Sequence, residues 1–140
     1  MHDLTFQMQL SCTYNADSNN VSKLEVENLV DGEWKALELT TTSPGFDIFI
    51  YSLFTCQHMY FRLNAAESKL VLKSSKGKIT IGTDKQRVIQ KVHVEFEGVL
   101  ASGNVTESNV AYIKERMRAC PVSINLRDIE ENTSSIHFIS

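Results

Sequence analysis

Two cysteines, Cys56 and Cys120, are the residues of this sequence best suited to chemistry. A thiolate is a strong nucleophile, and two thiols that meet can cycle between the reduced form and a disulfide. The two cysteines stand 64 positions apart, so the sequence alone does not show whether their side chains meet. Buried cysteines are usually inert packing. Two interpretations therefore stay open, a redox pair and two packing side chains.

Three further groups have candidate roles near these thiols. Asp47 precedes Cys56 by nine residues, which in a regular helix is about 13.5 Å and the opposite face. Asp47 would reach Cys56 only across a dimer or through a bend. Otherwise it is simply an acidic side chain that the dipole at the helix N-terminus stabilises.

His58 would complete a three-ligand zinc site with Cys56 and Cys120. Residues i and i+2 point about 200° apart on a helix, so we expect a buried, hydrogen-bonded histidine. Cys12 lies on the apolar face of a predicted strand and is expected to be packing.

The stretch from Phe46 to Leu63 must position Cys56. Its apolar residues lie on almost every side of a helix, which predicts a helix buried on every side. Its 18 residues would span about 27 Å and nearly cross a bilayer. Gln57 and His58 would then lie near the middle of the membrane, and the rest of the chain alternates like a β protein. We therefore expect a buried helix and no membrane partner.

Strands predicted from alternation surround this helix. Ser74 to Gly77 has the composition of a turn, Ser43 or Thr42 is expected to cap the central helix, and Asn104 with Glu107 resembles a capping box. The predicted element order is β(3)-α-β(2)-α(2)-β, an α+β fold in a single domain over residues 1–140. The predicted elements are strands at 4–12, 23–29, 33–40, 78–83, 87–100 and 135–140, and helices from about 44 to 67, at 106–120 and at 122–126.

Composition excludes several functional classes. The net charge is −3 and the basic residues form no cluster, so nucleic acid is not an expected partner. Three cysteines, an odd number, together with the lack of a signal peptide predict a cytoplasmic chain with reduced thiols.

Two motifs around the cysteines resemble those of a known family. Residues 43–56, SPGFDIFIYSLFTC, run from a proline through an acidic residue and an apolar stretch to a cysteine. Residues 119–123, ACPVS, place the second cysteine at the end of the second long helix. Both motifs, their spacing and the element order resemble the OsmC-like family, which includes the organic hydroperoxide resistance proteins.

This resemblance implies an intertwined homodimer around two central helices, which would also cover a helix that is apolar on all sides. It implies a peroxidase of organic hydroperoxides without cofactor or metal. Cys56 would attack the peroxide, Cys120 would resolve the sulfenic acid as a disulfide, a dithiol would reduce the disulfide, and Asp47 would stand for the family's acidic residue. The alternative is a non-catalytic homodimer that binds a small apolar ligand or acts in stress response without peroxidase turnover.

The chain departs from the family pattern in the group that should ionise Cys56. The peroxidases of this family use an arginine from an N-terminal strand, but no arginine precedes Arg62 here. Lys23 is the single lysine before residue 35, and alternation places it on the outer face of its strand. The sequence therefore leaves open which group would stabilise a thiolate.

Overall fold

Six strands and two long helices build the chain, and the computed structural model describes residues 2–140. The strands are β1 (Leu4–Asn15), β2 (Asn20–Val30), β3 (Glu33–Ala36), β4 (Val71–Thr83), β5 (Ile89–Ser102) and β6 (Glu131–Ile139), and the helices are α1 (Gly45–Glu67), α2 (Glu107–Arg118) and a 3-10 turn at Ser123–Leu126. This is the predicted α+β class, and the predicted element order is confirmed.

A single sheet holds all six strands in the order β3-β2-β1-β4-β5-β6. Every neighbouring pair is antiparallel except β5 and β6, which are parallel. Asp31 and Gly32 join β2 to β3 in a hairpin, and both residues have positive φ. Such a two-residue turn matches the twist of the strands that it connects.

The inner face of the sheet is apolar, as the period-two patterns predicted. Met8, Leu10 and Cys12 of β1 are buried, as are Val92, Val94 and Phe96 of β5. The helices cover this face: α1 packs on β4 and α2, and α2 packs on β6. The core therefore lies between one sheet and the helix pair, and Cys12 is a packing side chain within it.

The predicted turn at Ser74 to Gly77 is wrong. These residues lie inside β4, where they pair with β1 on one side and β5 on the other. A Cβ on Gly77 would lie within 2.6 Å of two atoms of the Phe96 ring. The glycine is thus required by close packing across the sheet and not by a turn.

Several predicted element ends need correction: β2 begins at Asn20 and not at 23, β4 at Val71 and not at 78, and β6 at Glu131 and not at 135. The third strand ends at Ala36, not Thr40, and the strand predicted at 87–100 begins only at Ile89, which leaves Val88 60% exposed in the β4–β5 connection. Neither Ser43 nor Thr42 caps α1: Pro44 is the N-cap, and the Ser43 hydroxyl accepts from the Thr40 amide.

The capping box of α2 is also displaced by two residues, because Thr106 is the N-cap and exchanges hydrogen bonds with Asn109. Asn104 and Glu107 are not its members.

One side of α1 is not covered by its own chain. Ile50, Leu53, Phe54 and Phe61 are buried against the sheet. On another side, Ile48 is 41%, Met59 46% and Leu63 43% exposed. These three residues, with Thr55 at helical spacing between them, form what we call the α1 stripe. The expectation of burial on every side is therefore wrong for a single chain.

No helix within residues 2–140 has both the length and the apolar content needed to cross a membrane.

Candidate active site: a thiol pair between α1 and the end of α2

The packing of α1 on α2 brings Cys56 and Cys120 into contact. Cys56 lies in the middle of α1, and Cys120 follows the last turn of α2, where its amide donates to the Met117 carbonyl. Pro121 then turns the chain into the 3-10 segment. The two thiols lie close enough for each to shift the pKa of the other, and both are free. The structure thus joins two groups whose contact the sequence could not establish.

The two thiols differ in exposure and in their hydrogen-bond partners. Cys56 is partly exposed, whereas Cys120 is fully buried. The Cys120 sulfur accepts from the Ser123 amide at 3.4 Å and from Gln57 Nε2 at 3.5 Å. The Ser123 side chain also donates to it. Cys56 accepts from the backbone N–H of Val122 and donates to Cys120.

This asymmetry sets opposite pKa shifts on the two thiols. Burial raises the pKa of Cys56 to about 11, and its hydrogen bond to Cys120 adds to the rise. Burial also raises the pKa of Cys120, but hydrogen bonds from Cys56, Ser123 and Gln57 outweigh it and hold that pKa below the usual value of a thiol. Hydrogen bonds donated to the charged form of a group stabilise that form. The pair therefore favours a negative charge on Cys120 and a proton on Cys56.

Gln57 is the functional residue that the sequence did not single out. It is 4% exposed, and one of its two amide N–H groups donates to the Met117 carbonyl at 2.6 Å while the other is shared between the Ser123 hydroxyl and the Cys120 sulfur. A carbonyl can only accept, so this contact fixes which end of the amide faces Cys120. The available signal was a glutamine inside an apolar helix, since a buried amide must find partners.

The predicted charged residues do not reach the thiol pair within the chain. Asp47 lies in the first turn of α1, and α1 runs without interruption to Glu67, so no bend brings Asp47 to Cys56. Lys23 is exposed and pairs with Glu25 at 3.2 Å. Arg62 lies near Asn19, with its guanidinium 3.4 Å from the Asn19 carbonyl oxygen. Among residues 2–140, no cation contributes to the pKa shift of Cys56.

The aromatic and aliphatic residues expected to line a peroxide site divide between two sides of α1. Leu53, Phe54 and Phe61 are core residues, and the Phe61 ring stacks on Phe96 at 4.8 Å. Phe49, Met59 and Tyr60 share the helix face of Cys56 at helical spacing and are at least partly exposed. Only the second group is placed to contact a ligand of Cys56.

His58 is buried and hydrogen-bonded, as predicted. It is 3% exposed, and its Nε2 lies 2.7 Å from the Tyr14 hydroxyl, which also contacts Ser75. Burial, together with the nearby Arg62, lowers the pKa of His58 to about 4. Within residues 2–140, no three His, Cys, Asp or Glu side chains are grouped to hold a metal ion. His58 thus belongs to the sheet side of α1, away from the thiols.

Comparisons of sequence find no relative of this chain: no family model matches it, and no curated protein matches it. Comparison of structure does find proteins of similar fold. An OsmC-like hydroperoxide resistance protein from Jannaschia sp. CCS1 superposes with a TM-score of 0.54 at 16% identity, over 89% of this chain and 87% of that one.

Two other solved structures are similar. An OsmC-like protein from Mycoplasma pneumoniae has a TM-score of 0.51 at 12% identity, with 98% of this chain and 97% of that one covered. A putative osmotic stress induced and detoxification response protein from Psychrobacter arcticus 273-4 has a TM-score of 0.52 at 12% identity, with 91% and 93% covered. Matches of this length and identity identify the fold.

Proposed function

Because the chain has the OsmC-like fold and its two helices bring two free thiols into contact, we propose that it is a thiol-dependent peroxidase of organic hydroperoxides. The contact between Cys56 and Cys120 is the observation that carries the proposal. The similar protein from Jannaschia is described as a hydroperoxide resistance protein, which agrees with this chemistry. Asp47 is proposed to act only across a dimer, since α1 keeps it away from the Cys56 of its own chain.

In the proposed reaction, the Cys56 sulfur attacks the O–O bond, since it is the more exposed of the two thiols. The bond breaks, Cys56 becomes a sulfenic acid and the organic part leaves as an alcohol. Cys120 then attacks the sulfenic sulfur, and hydroxide leaves as the disulfide forms. An external dithiol returns the pair to the reduced state. The side chains of Phe49, Met59 and Tyr60 on the face of Cys56 favour an alkyl or lipid hydroperoxide over hydrogen peroxide.

The proposed active form is a homodimer. The α1 stripe leaves three large apolar side chains uncovered on the helix that carries Cys56. A second copy of the same helix, related by a two-fold axis, would cover them.

The test of the proposal is turnover by the purified protein. With dithiothreitol as reductant, the protein should consume tert-butyl hydroperoxide, and Cys56→Ser should abolish consumption because it removes the attacking sulfur. Cys12→Ala is the matched control: it removes the third thiol, which is buried in the core, and should leave most of the activity. Absence of turnover by the unmodified protein would contradict the proposal.

A second candidate function rests on one observation, the raised pKa of Cys56. A thiol that stays protonated near neutral pH is a slow nucleophile. The alternative is a non-catalytic homodimer that binds a small apolar ligand or acts in stress response without turnover. The turnover assay separates the two, because this second protein would leave the hydroperoxide unconsumed.

A further inference from the structure

Within residues 2–140 no cation contributes to the pKa shift of either thiol, so a thiolate in this pair would have to be stabilised by neutral donors. Cys120 is enclosed by neutral donors on three sides: the Gln57 amide, the Ser123 amide at 3.4 Å and the thiol of Cys56. The Ser123 hydroxyl adds a fourth donor. A protonated thiol is a weak hydrogen-bond acceptor and would gain little from these donors. This set of donors around a fully buried sulfur fits a thiolate.

We propose that Cys120 is the resting thiolate of the pair, held by Gln57 and Ser123 in place of a cation, and that it takes the proton of Cys56 when Cys56 attacks a peroxide. The first half stands on the contacts around Cys120. The second half rests on the proposed peroxidase function. Gln57 and Ser123 are then positioning residues, because they act on the reaction through Cys120 and touch no substrate.

The proton and electron balance of this cycle is complete. The Cys56 proton passes to the Cys120 thiolate as the Cys56 sulfur bonds to the peroxide oxygen and the O–O bond breaks. The departing alkoxide takes that proton and leaves as the alcohol, which restores the Cys120 thiolate. This thiolate attacks the sulfenic sulfur of Cys56, and the hydroxide that leaves takes one proton from the buffer. The external dithiol then supplies two electrons and two protons, of which one returns to Cys56 and the other to the buffer. The two cysteines lose two electrons, which reduce the peroxide.

The surroundings of Cys120 contain few other ionisable groups. Cys56 is the titratable group that α1 presents to it. Arg118 and Arg127 line the small cavity beside Gln57 and Ser123, but neither contributes to the pKa shift of Cys120. Strand β6 presents Asn132, Thr133 and Ser134 to the same cavity, all uncharged. Neutral hydrogen bonds therefore carry the stabilisation of the charge.

The test measures thiolate directly and needs no peroxide. In a Cys12→Ala background, ultraviolet absorbance of thiolate is titrated against pH in Cys56→Ser and in Cys120→Ser. Thiolate should be present near neutral pH in Cys56→Ser, which keeps Cys120, and should form only at alkaline pH in Cys120→Ser. The reverse order would overturn the assignment, as would two thiols that both titrate above the ordinary value.

Substitution of Gln57 tests the donor role. Gln57→Met keeps the length and shape of the side chain and removes the N–H groups, so the Cys120 titration should move to higher pH, by about one unit for a lost hydrogen bond to a charge. Gln7→Met is the matched control, because Gln7 also donates through its amide, to Thr80, but lies on β1. An unchanged Cys120 titration in a folded Gln57→Met protein would overturn the role of Gln57.

The two proposals can fail separately. A protein that holds a Cys120 thiolate but consumes no hydroperoxide would refute the peroxidase and keep the thiolate assignment. The assignment alone would be refuted if the protein consumes hydroperoxide but the neutral-pH thiolate is absent from Cys56→Ser and present in Cys120→Ser.

Discussion

Cys56 and His58 stand two positions apart on α1 and lie in different environments. A helix turns about 200° over two residues, so Cys56 lies beside Cys120 while His58 points to the sheet, where Tyr14 and Ser75 complete a buried polar chain. Each side of the helix therefore has its own protonation chemistry. Protonation of the thiols bears on the proposed reaction, and protonation of His58 bears on the stability of the fold.

The pH dependence of stability should report His58. Its pKa falls from 6.5 in the unfolded chain to about 4 in the fold, so between these values the unfolded chain binds a proton that the folded chain does not. The stability that a neutral His58 confers is complete above pH 6.5 and is lost as the pH falls towards 4, by about 3 kcal/mol in total. Denaturant unfolding across this range measures the loss.

Two variants isolate this contribution. His58→Leu should be less stable near neutral pH but should lose much less stability on acidification than the unmodified protein. His137→Leu replaces an exposed histidine and should keep the original pH dependence. Equal pH dependence in His58→Leu and the unmodified protein would show that His58 is not the group responsible.

At the residue level the sequence identified the candidate side chains better than the groups that set their pKa values. The two cysteines and the buried histidine could be identified from residue types and their places in the pattern. The donors to Cys120 could not, because Gln57 and Ser123 come from different elements and meet only through the packing of α1 on α2 and the turn after it. Such contacts are set by tertiary structure, which no local pattern records.

The central helix α1 is covered incompletely by its own chain. Ile48, Met59 and Leu63 recur along one side of the helix and are 41–46% exposed. Large apolar side chains aligned on one helix face mark a surface that another protein covers. A second copy is the partner that the proposed homodimer supplies.

A charge on the α1 stripe should dissociate the dimer. Met59→Glu would bury a carboxylate in the proposed interface, which costs several kcal/mol of binding free energy. Sedimentation should therefore find a monomer for this variant and a dimer for the unmodified protein. Val88→Glu is the control, because Val88 is 60% exposed on the β4–β5 connection, outside the stripe. Monomeric unmodified protein, or a dimer unaffected by Met59→Glu, would contradict this interface.

The elements could be predicted where one of their faces is apolar. The prediction failed where a segment has the composition of a turn but pairs with neighbouring strands. The alternation in β1 predicted its strand and its buried face correctly. Ser74 to Gly77 has turn composition, yet it continues β4 because both neighbouring strands pair with it. Asn19 is a polar residue of the β1–β2 turn, yet it is fully buried. Its amide forms hydrogen bonds with the backbone of Arg62, Leu70 and Leu72, which ties this turn to the end of α1 and the start of β4.

Over the whole molecule, the fold is shared with proteins that are only 12–16% identical. The order of the elements could be predicted because each element carries its own pattern. The order of the strands in the sheet, with β1 between β2 and β4 and with β6 parallel to β5, depends on long-range pairing that the patterns do not encode. The fold brings the thiols together, and the residues around them decide what the pair does.

A single exposure to hydroperoxide tests the central claim most directly. Reduced protein is treated with one equivalent of tert-butyl hydroperoxide, quenched in acid, alkylated and mapped by mass spectrometry. The expected result is a disulfide between Cys56 and Cys120 with Cys12 alkylated in full, because Cys12 is buried apart from the pair. Three alkylated thiols, or a disulfide that includes Cys12, would contradict the claim that Cys56 and Cys120 form a peroxide-reactive pair.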